Sequence, residues 1–243
     1  MIERTAIVTG AGKRVGRHIA EALLADGWKV VAHVHHDGDE VPRGAVRAVA
    51  DLGQRDCAER IFGAAEGLPP VSLLVNNAAR FAWDGFGDFD GGELDSHMAV
   101  NVRAPALLID RFAAQARDGK DALIVNLLDS KLAASNPDFL SYTLSKVALA
   151  GLTELAARAL GPQGIRVNGI APALMLRSSG QSEENFDGMH ARNPLKRGVT
   201  PDDVVGALRY LIGAPCVTGQ TLVIDSGHRF LGLSRDVQFL GER

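Results

Sequence analysis

The sequence predicts a doubly wound α/β domain, in which about seven parallel strands form a sheet with helices on both faces. Short runs rich in Val, Ile and Leu alternate with longer segments of helical periodicity. The short runs lack the polar alternation of a half-exposed sheet, so we expect them to be buried on both faces. A chain of 243 residues can bury such a sheet as one unit, and we expect a single domain over residues 1–243.

The short, mostly apolar runs are predicted to be the strands, and the periodic segments between them the helices. The strands are expected at residues 5–8, 29–34, 45–49, 71–75, 123–128, 166–170 and 221–224, and the helices at about 16–26, 54–66, 93–117, 139–160 and 201–213. The link over residues 36–45 is too short for a helical crossover, so we expect no full helix there. Residues 173–200 lack clear periodicity and are predicted to form a substrate loop.

The composition excludes several classes of partner. With 26 basic and 29 acidic side chains the formal net charge is -3, which offers no basic surface for a nucleic-acid backbone. No apolar stretch reaches the length of a membrane span and no apolar leader opens the sequence, so we expect a cytoplasmic protein without a membrane partner. Cys57 and Cys216 are expected to be reduced thiols, and no metal site is predicted. The expected partner is a small-molecule substrate.

A glycine-rich segment, TGAGKRVG at positions 9–16, follows the first predicted strand directly. Glycines let the backbone turn tightly and approach a pyrophosphate, and the N-terminus of the following helix offers free N–H groups. A tight turn that only packs the helix on the strand is the alternative. The residues expected to contact a dinucleotide here are Gly10, Gly12, Lys13, Arg14 and Val15.

The end of the second strand favours NADP over NAD. NAD sites normally place a carboxylate there, whereas position 34 is a valine. Lys13 and Arg14 in the glycine-rich segment, with His35 and His36 after the strand, supply cations or donors suited to a 2′-phosphate. A nearby aspartate leaves NAD as the less favoured cofactor.

Two residues after the third strand are expected near the adenine ring. They are Asp51 and Leu52. Asp51 is equally suited to cap the helix predicted to begin near residue 54, so both interpretations stay open.

Tyr142 and Lys146 lie four residues apart on a predicted helix, so their side chains share one face. A phenol is a poor acid or base near pH 7, but a neighbouring ammonium group favours the phenolate. The pair therefore predicts an acid–base catalyst in which Lys146 lowers the pKa of Tyr142. A solvated helix face gives the same spacing, so the pair is weighed with the other motifs.

The motifs together resemble the short-chain dehydrogenase/reductase family, from residue 5 to about residue 227. In the family's order they are the TG loop, Asn76-Asn77-Ala78-Ala79, Asn101 within NVRAP, Tyr142-x-x-x-Lys146, and RVNGIAP at positions 166–172. The resemblance implies a Rossmann-like fold in which the tyrosine passes a proton, the lysine also holds the nicotinamide ribose, and Asn101 supports a water relay. It further implies that the cofactor is lined by Asn76, Asn77, Ala78 and Ala79, and that Pro172 begins the loop over the nicotinamide.

Two departures from the family pattern are similar to its pteridine reductase and dihydrofolate-related branch. Arg14 replaces the middle glycine of TGxxxGxG, and Asp129 replaces the usual serine thirteen residues before the tyrosine. Phe81 matches an aromatic residue that follows the asparagine motif. These residues are suited to stack a flat heterocycle, bind its carbonyl or nitrogen, and relay a proton. In the alternatives, Ser130 does the serine's work, Phe81 belongs to the core and Arg14 binds only phosphate.

The predicted function is NADPH-dependent hydride transfer to a pterin-like or other small conjugated substrate, with Tyr142 as the proton donor. Substrate contacts are expected from Arg14, Phe81, Asp129 and Tyr142. The alternatives are a carbonyl reductase or alcohol dehydrogenase of the same fold, and a non-catalytic NADP-binding regulator. The apolar tail over residues 226–240 is expected to pack on its own domain or on a second subunit. The family resemblance implies a homo-oligomer, either a dimer or a tetramer.

Overall fold

One parallel sheet organises the chain, as the apolar runs predict. The computed structural model describes residues 3–116, 122–177 and 182–240. Within these ranges seven strands pair side by side in the order β3-β2-β1-β4-β5-β6-β7, every pair parallel. The strands are β1 Thr5–Val8, β2 Lys29–Val34, β3 Val46–Val49, β4 Val71–Asn76, β5 Ala122–Leu127, β6 Ile165–Pro172 and β7 Thr221–Ile224. Because the order reverses between β1 and β4, a crevice opens beyond their carboxyl ends.

Helices cover both faces of the sheet, so the predicted doubly wound arrangement is confirmed. The helices are α1 Arg14–Ala25, α2 Cys57–Gly63, α3 Gly91–Met98, α4 Ala104–Gln115, α5 Leu140–Leu160, α6 Glu183–Arg192 and α7 Pro201–Gly213. Ile7 of β1 faces a core formed with α2, α4 and α5, whereas its neighbours Ala6 and Val8 face a core formed with α1 and α7. The inner strands β1, β2, β4, β5 and β6 are thus buried on both sides, which explains their apolar character, whereas the edge strands β3 and β7 are partly exposed.

Two predicted helices differ in detail from the structure. The single helix expected over residues 93–117 is three consecutive pieces: α3, a π-helical turn over Ala99–Arg103, and α4. The helix expected from residue 54 begins only at Cys57. The prediction that no helix links β2 to β3 is confirmed, because residues 35–45 contain only turns and bends.

The predicted substrate loop over residues 173–200 contains a helix, which the prediction missed. Ser182 accepts a hydrogen bond from the Asn185 amide and thereby caps α6. Two acidic residues then occupy the first turn, where they complement the helix dipole. Met189 alone is buried among the α6 residues, so the helix lacks the apolar stripe on which the periodicity test depends. The part of the prediction that falls on residues 178–181 lies outside the described residues.

The tail after β7 packs on its own chain. Two short 3-10 turns, His228–Leu231 and Val237–Phe239, lead it back across the carboxyl edge of the sheet. The Asn185 side-chain amide of α6 donates hydrogen bonds to the Val237 and Leu240 carbonyl groups. Among the described residues, none of the helices has the length and apolarity that crossing a bilayer requires.

Candidate active site

The helix that holds the predicted acid–base pair, α5, begins near the carboxyl edge of the sheet. Tyr142 and Lys146 lie one turn apart on α5, and both side chains are buried. Lys146 Nζ donates a hydrogen bond of 2.6 Å to the Leu127 carbonyl oxygen at the end of β5. This contact holds the ammonium group at the end of β5, and Lys146 lies on the same face of α5 as Tyr142.

Asp129 stands directly beside the tyrosine hydroxyl. The Tyr142 hydroxyl donates a hydrogen bond to Asp129 Oδ2 at 2.8 Å, and the Lys131 amide donates one to Oδ1 at the same distance. Burial raises the pKa of Asp129, although these hydrogen bonds and the nearby lysines oppose the rise. Ser130 is buried and also lines the cleft, but the tyrosine hydroxyl is bonded to Asp129.

The expected effect of Lys146 on the tyrosine is wrong for this structure. Burial, followed by the charge of Asp129 and its hydrogen bond, raises the pKa of Tyr142 well above the usual value for a phenol. Lys146 Nζ lies 5.6 Å from the centre of the phenol ring and is bonded to a carbonyl oxygen. Burial also lowers the pKa of Lys146 to about 8. Tyr142 therefore keeps its proton at neutral pH and acts as a hydrogen-bond donor.

Asn101 lies in the π-helical turn between α3 and α4, a geometry that is frequent at functional sites. Its Oδ1 accepts from the Arg80 amide, and its Nδ2 donates to the Arg80 carbonyl oxygen and to Ser145 Oγ. Ser145 Oγ in turn donates to the Tyr142 carbonyl oxygen. Asn101 thus joins the segment after β4 to the tyrosine helix, and its role in a water relay stays a prediction.

The glycine-rich segment forms a close-packed turn between β1 and α1. A Cβ at Gly12 would lie 2.8 Å from the Glu40 carbonyl oxygen, and one at Gly16 would lie 2.2 Å from the Gly10 carbonyl oxygen. Arg14, at the usual glycine position, has a φ of 52°, in the left-handed region that favours glycine. The first turn of α1 has no side-chain cap and no acidic residue, so its N–H groups remain available to an anion.

His33, which the sequence analysis missed, anchors this turn from β2. The buried ring accepts a hydrogen bond from the Gly10 amide at Nδ1 and contacts the Ala50 carbonyl oxygen through Nε2 at 3.0 Å. Burial lowers the pKa of His33, so the ring is neutral and carries its proton on Nε2. His33 lies inside the apolar run of β2. It differs from the neighbouring core residues only in the face of the strand to which its side chain points, and both faces are buried.

The residues predicted to select the adenosine end lie apart from the main cleft. His35 and His36 pack ring against ring at 4.1 Å beyond the end of β2. Asp51 accepts hydrogen bonds from the Gly53 amide and the Gln54 side chain. Asp51 therefore closes a turn and does not cap α2, which begins at Cys57. Leu52 is buried in the core on the α2 side of the sheet.

The asparagine motif ties β4 to the glycine-rich segment. Thr9 Oγ1 accepts hydrogen bonds from the Asn77 and Ala78 amides, and Asn77 Nδ2 donates to the Thr9 carbonyl oxygen. Asn76 points inward, where its Nδ2 donates to Asn126 Oδ1, so its predicted contact with a cofactor is not supported. Ala79 lines the cleft.

Pro172 is the last residue of β6 and is buried there. The residues that follow it, Ala173 to Leu176, enter the lining of the cleft. Arg14 donates hydrogen bonds to the carbonyl oxygens of Leu176 and Arg177, at 3.4 and 3.3 Å. The glycine-rich segment and the start of the substrate loop are thus joined across the crevice.

These elements enclose a cleft of about 640 Å³ with an aromatic wall. Phe81 packs edge-on against Tyr142, with ring centres 4.8 Å apart, and stacks on Phe139 at 4.4 Å. Phe81 is 49% exposed, so the alternative that it belongs to the core is wrong. Across the described residues, no group of three His, Cys, Asp or Glu side chains is arranged to hold a metal ion.

The chain is similar to known reductases along nearly its whole length. A family model described as enoyl-(acyl carrier protein) reductase matches residues 10–229. The chain is 32% identical to carbonyl reductase (NADPH) 2 of Sus scrofa, an alignment that covers 92% of this chain and 95% of that protein. It is 29% identical to pteridine reductase 1 of Leishmania tarentolae, with the same two coverages. The crystal structure of FolM alternative dihydrofolate reductase 1 from Brucella canis complexed with NADP superposes with a TM-score of 0.86 at 32% identity, covering 94% of this chain and 95% of that one. The chain therefore belongs to the short-chain dehydrogenase/reductase family of oxidoreductases.

Proposed function

We propose that this protein is an NADPH-dependent reductase of a pterin-like or related small conjugated ring, with Tyr142 as the proton donor. The observation that supports it best is the hydrogen bond of 2.8 Å between the Tyr142 hydroxyl and Asp129. A hydroxyl at position 129 would polarise a substrate carbonyl, whereas a carboxyl group with a raised pKa can deliver a proton. Reduction of a C=N bond needs such a proton at the nitrogen.

The glycine-rich turn is suited to hold NADPH. The close approach of the backbone at Gly12 and the uncapped first turn of α1 form a cradle for a pyrophosphate. Lys13 and Arg14 add positive charge that suits the additional phosphate of NADPH. The complexed NADP of the FolM neighbour and the name of the porcine relative support the same cofactor. When bound, NADPH supplies the hydride.

The proton comes from the buried Asp129–Tyr142 pair. Because the pKa values of both groups are raised, protonated forms are favoured at a higher pH than for the free side chains. We propose that Tyr142 Oη passes its proton to the ring nitrogen and takes the proton of the Asp129 carboxyl in exchange. Phe81 supplies a flat, half-exposed face beside the hydroxyl, on which a conjugated ring can stack.

The test is oxidation of NADPH in the presence of dihydrobiopterin or dihydrofolate. The wild-type protein is expected to turn over at least one of these substrates, and Tyr142→Phe and Asp129→Ser are expected to reduce the rate by about a hundredfold or more. Binding of NADPH, followed by its fluorescence, serves as the control that each variant is folded. A wild-type rate no greater than that of Tyr142→Phe would contradict the proposal.

Carbonyl reduction is the second candidate, supported by the similarity to the porcine carbonyl reductase and by Ser130, whose side chain reaches the cleft. In that case Asp129→Ser should raise activity toward a panel of ketones and aldehydes, whereas the pterin proposal requires that the same change abolish pterin reduction. Tight binding of NADPH without oxidation by any substrate would instead favour a non-catalytic regulator.

We also propose that the protein is cytoplasmic and that it assembles into dimers or tetramers. Leu144, Val147 and Leu155 expose apolar side chains along the outer face of α5. The free cysteines Cys57 and Cys216 suit a reducing compartment. Light scattering of the purified protein tests the oligomeric state.

A further inference from the structure

The tail over residues 226–240 forms one wall of the substrate end of the cleft. Its contributions to the lining are His228, Arg229, Leu233, Arg235, Asp236 and Val237. The adjoining wall is formed by the segment after β5, from Asp129 to Asn136, which includes the carboxyl group bonded to Tyr142. Both walls belong to the same chain.

A buried carboxylate ties the two walls together. Asp138 is only 6% exposed, and both of its oxygens accept from Arg235 Nε, at 3.0 and 2.8 Å. The Asp236 amide donates a further hydrogen bond of 2.7 Å to Oδ2. Burial alone would raise the pKa of Asp138, but these donors outweigh it and the pKa lies below its usual range. Asp138 is therefore an anion that fixes the position of Arg235.

Aromatic rings pack against the Arg235 guanidinium group and against one another. The Arg235 guanidinium lies 5.3 Å from the ring centre of Phe239, which stacks on Phe139 at 5.9 Å. Phe139 also stacks on Phe81, the ring beside Tyr142. A continuous aromatic row thus leads from the reactive hydroxyl to the guanidinium group.

The two terminal nitrogens of Arg235 are available to a ligand in the cleft. Asp138 is bonded through Nε, and within residues 3–116, 122–177 and 182–240 neither terminal nitrogen of Arg235 donates a hydrogen bond. The side chain is 51% exposed and lines the cleft. A guanidinium held at Nε keeps its two terminal N–H groups parallel, which matches the two oxygens of a carboxylate.

Asp138 pairs with Nε and balances the charge of Arg235, but among the described residues of the cleft no other acidic side chain bonds to this arginine. Asp129 is bonded to Tyr142, and Asp236 lies 3.6 Å from Lys131 Nζ. Each carboxylate thus has a partner within the cleft walls, and the terminal donors of Arg235 remain for a ligand. The cleft therefore offers the half-exposed ring of Phe81 and the terminal donors of Arg235, unpaired among the described residues, which together favour a ligand that carries both a flat ring and an anionic group.

We propose that Arg235 binds a carboxylate on the substrate, remote from the ring that is reduced. This inference rests on the proposed function and specifies its substrate class: a flat conjugated ring with a substituent that ends in a carboxylate. The ring lies against Phe81 beside Tyr142, and the substituent extends along the tail toward Arg235. Asp138 acts as a positioning residue that holds the arginine for this contact.

The experiment compares two substrates that share a reducible ring, dihydrofolate with its carboxylates and dihydrobiopterin without one. Arg235→Gln is expected to raise the KM for dihydrofolate about fivefold to tenfold and to leave the KM for dihydrobiopterin within about twofold. Arg235→Lys keeps the charge but not the paired donors, and it should show the same selectivity with a smaller effect. Arg158→Gln, an exposed arginine on α5, is the matched control and should change neither value.

Equal losses with both substrates would overturn the inference, because they would show that Arg235 only holds the tail in place. Unchanged kinetics with dihydrofolate would also overturn it. If the wild-type protein reduces neither compound, the proposed function fails, and calorimetric binding of folate and biopterin then decides the role of Arg235. Loss of folate binding alone in Arg235→Gln would support the carboxylate contact even then, whereas equal folate binding by both proteins would end it.

Discussion

Replacing Asp84 with alanine is expected to destabilise the helix that holds Tyr142 and Lys146. Phe139 precedes α5 in a left-handed conformation, with φ at 54°, and its side chain does not cap the helix. Asp84, 57 positions away from Ser141, supplies the cap instead. Its carboxylate accepts from the Ser141 amide at 2.9 Å and from the Ser141 hydroxyl, and its carbonyl oxygen accepts from the Leu140 amide.

The expected loss follows from the groups left without partners. Removing a helix cap costs about 1 kcal/mol, and each buried donor left unsatisfied costs about 1–3 kcal/mol. Asp84 is 3% exposed and Ser141 is fully buried, so water cannot readily replace the carboxylate. We therefore expect Asp84→Ala to lower the free energy of unfolding by about 3 kcal/mol. For a chain of this size, that corresponds to a decrease of about 6–12 °C in Tm.

Thermal and urea unfolding, followed by circular dichroism at constant protein concentration, measure this loss. Asp84→Asn keeps an oxygen for the Ser141 amide and should retain most of the stability. Asp88→Ala removes an exposed carboxylate from the same loop and should stay within about 0.5 kcal/mol of the wild type. If Asp84→Ala loses less than about 1 kcal/mol, the cap does not hold α5 and the reasoning fails.

Three further predictions concern the cofactor turn and the buried ionisable groups. Gly12→Ala should destabilise the fold by about 1–3 kcal/mol and weaken NADPH binding, because its Cβ would crowd the Glu40 carbonyl oxygen; Gly38→Ala, in open space, should do neither in fluorescence titrations. The charged form of Lys146 lowers the free energy of unfolding, because burial lowers its pKa to about 8 in the folded protein. Lys146→Met should therefore be more stable than the wild type at pH 7. Urea titrations should show this difference shrink between about pH 8 and 10.5, where the lysine is neutral in the folded protein but still charged in the unfolded chain. Pterin reduction should decline as pH rises through the raised pKa of Asp129, and a pH–rate profile of Asp129→Asn should lack that decline.

The cleft joins three parts of the chain that are distant in sequence. The Tyr142 hydroxyl meets a carboxylate thirteen residues earlier, and the ring of Phe81 comes from the loop after β4. The tail contributes the wall that carries Arg235. All three meet because parallel strands end at one edge of the sheet, so the loops that follow them face the same crevice.

Much of the fold could be predicted because its signals are local. Unbroken apolar runs identified the strands, since strands buried on both faces need no polar positions. Spacing alone placed Tyr142 and Lys146 on one helix face, and the departure at Asp129 was visible as a residue type. Helix α6 was missed because its stability does not come from an apolar stripe, and a capping serine is a weaker signal than periodicity.

The sequence by itself determined the apolar runs that become the strands, the glycine-rich turn and the residue types of the proton-transfer pair. Only the tertiary structure decided the direction in which the pKa of Tyr142 moves, because that depends on burial and on the distance to Asp129. It likewise revealed His33 beneath the turn, and it paired Arg235 with a carboxylate 97 positions earlier in the chain. Local patterns record the conformation of a segment, whereas the electrostatic environment of a buried group is set by neighbours that the fold brings together.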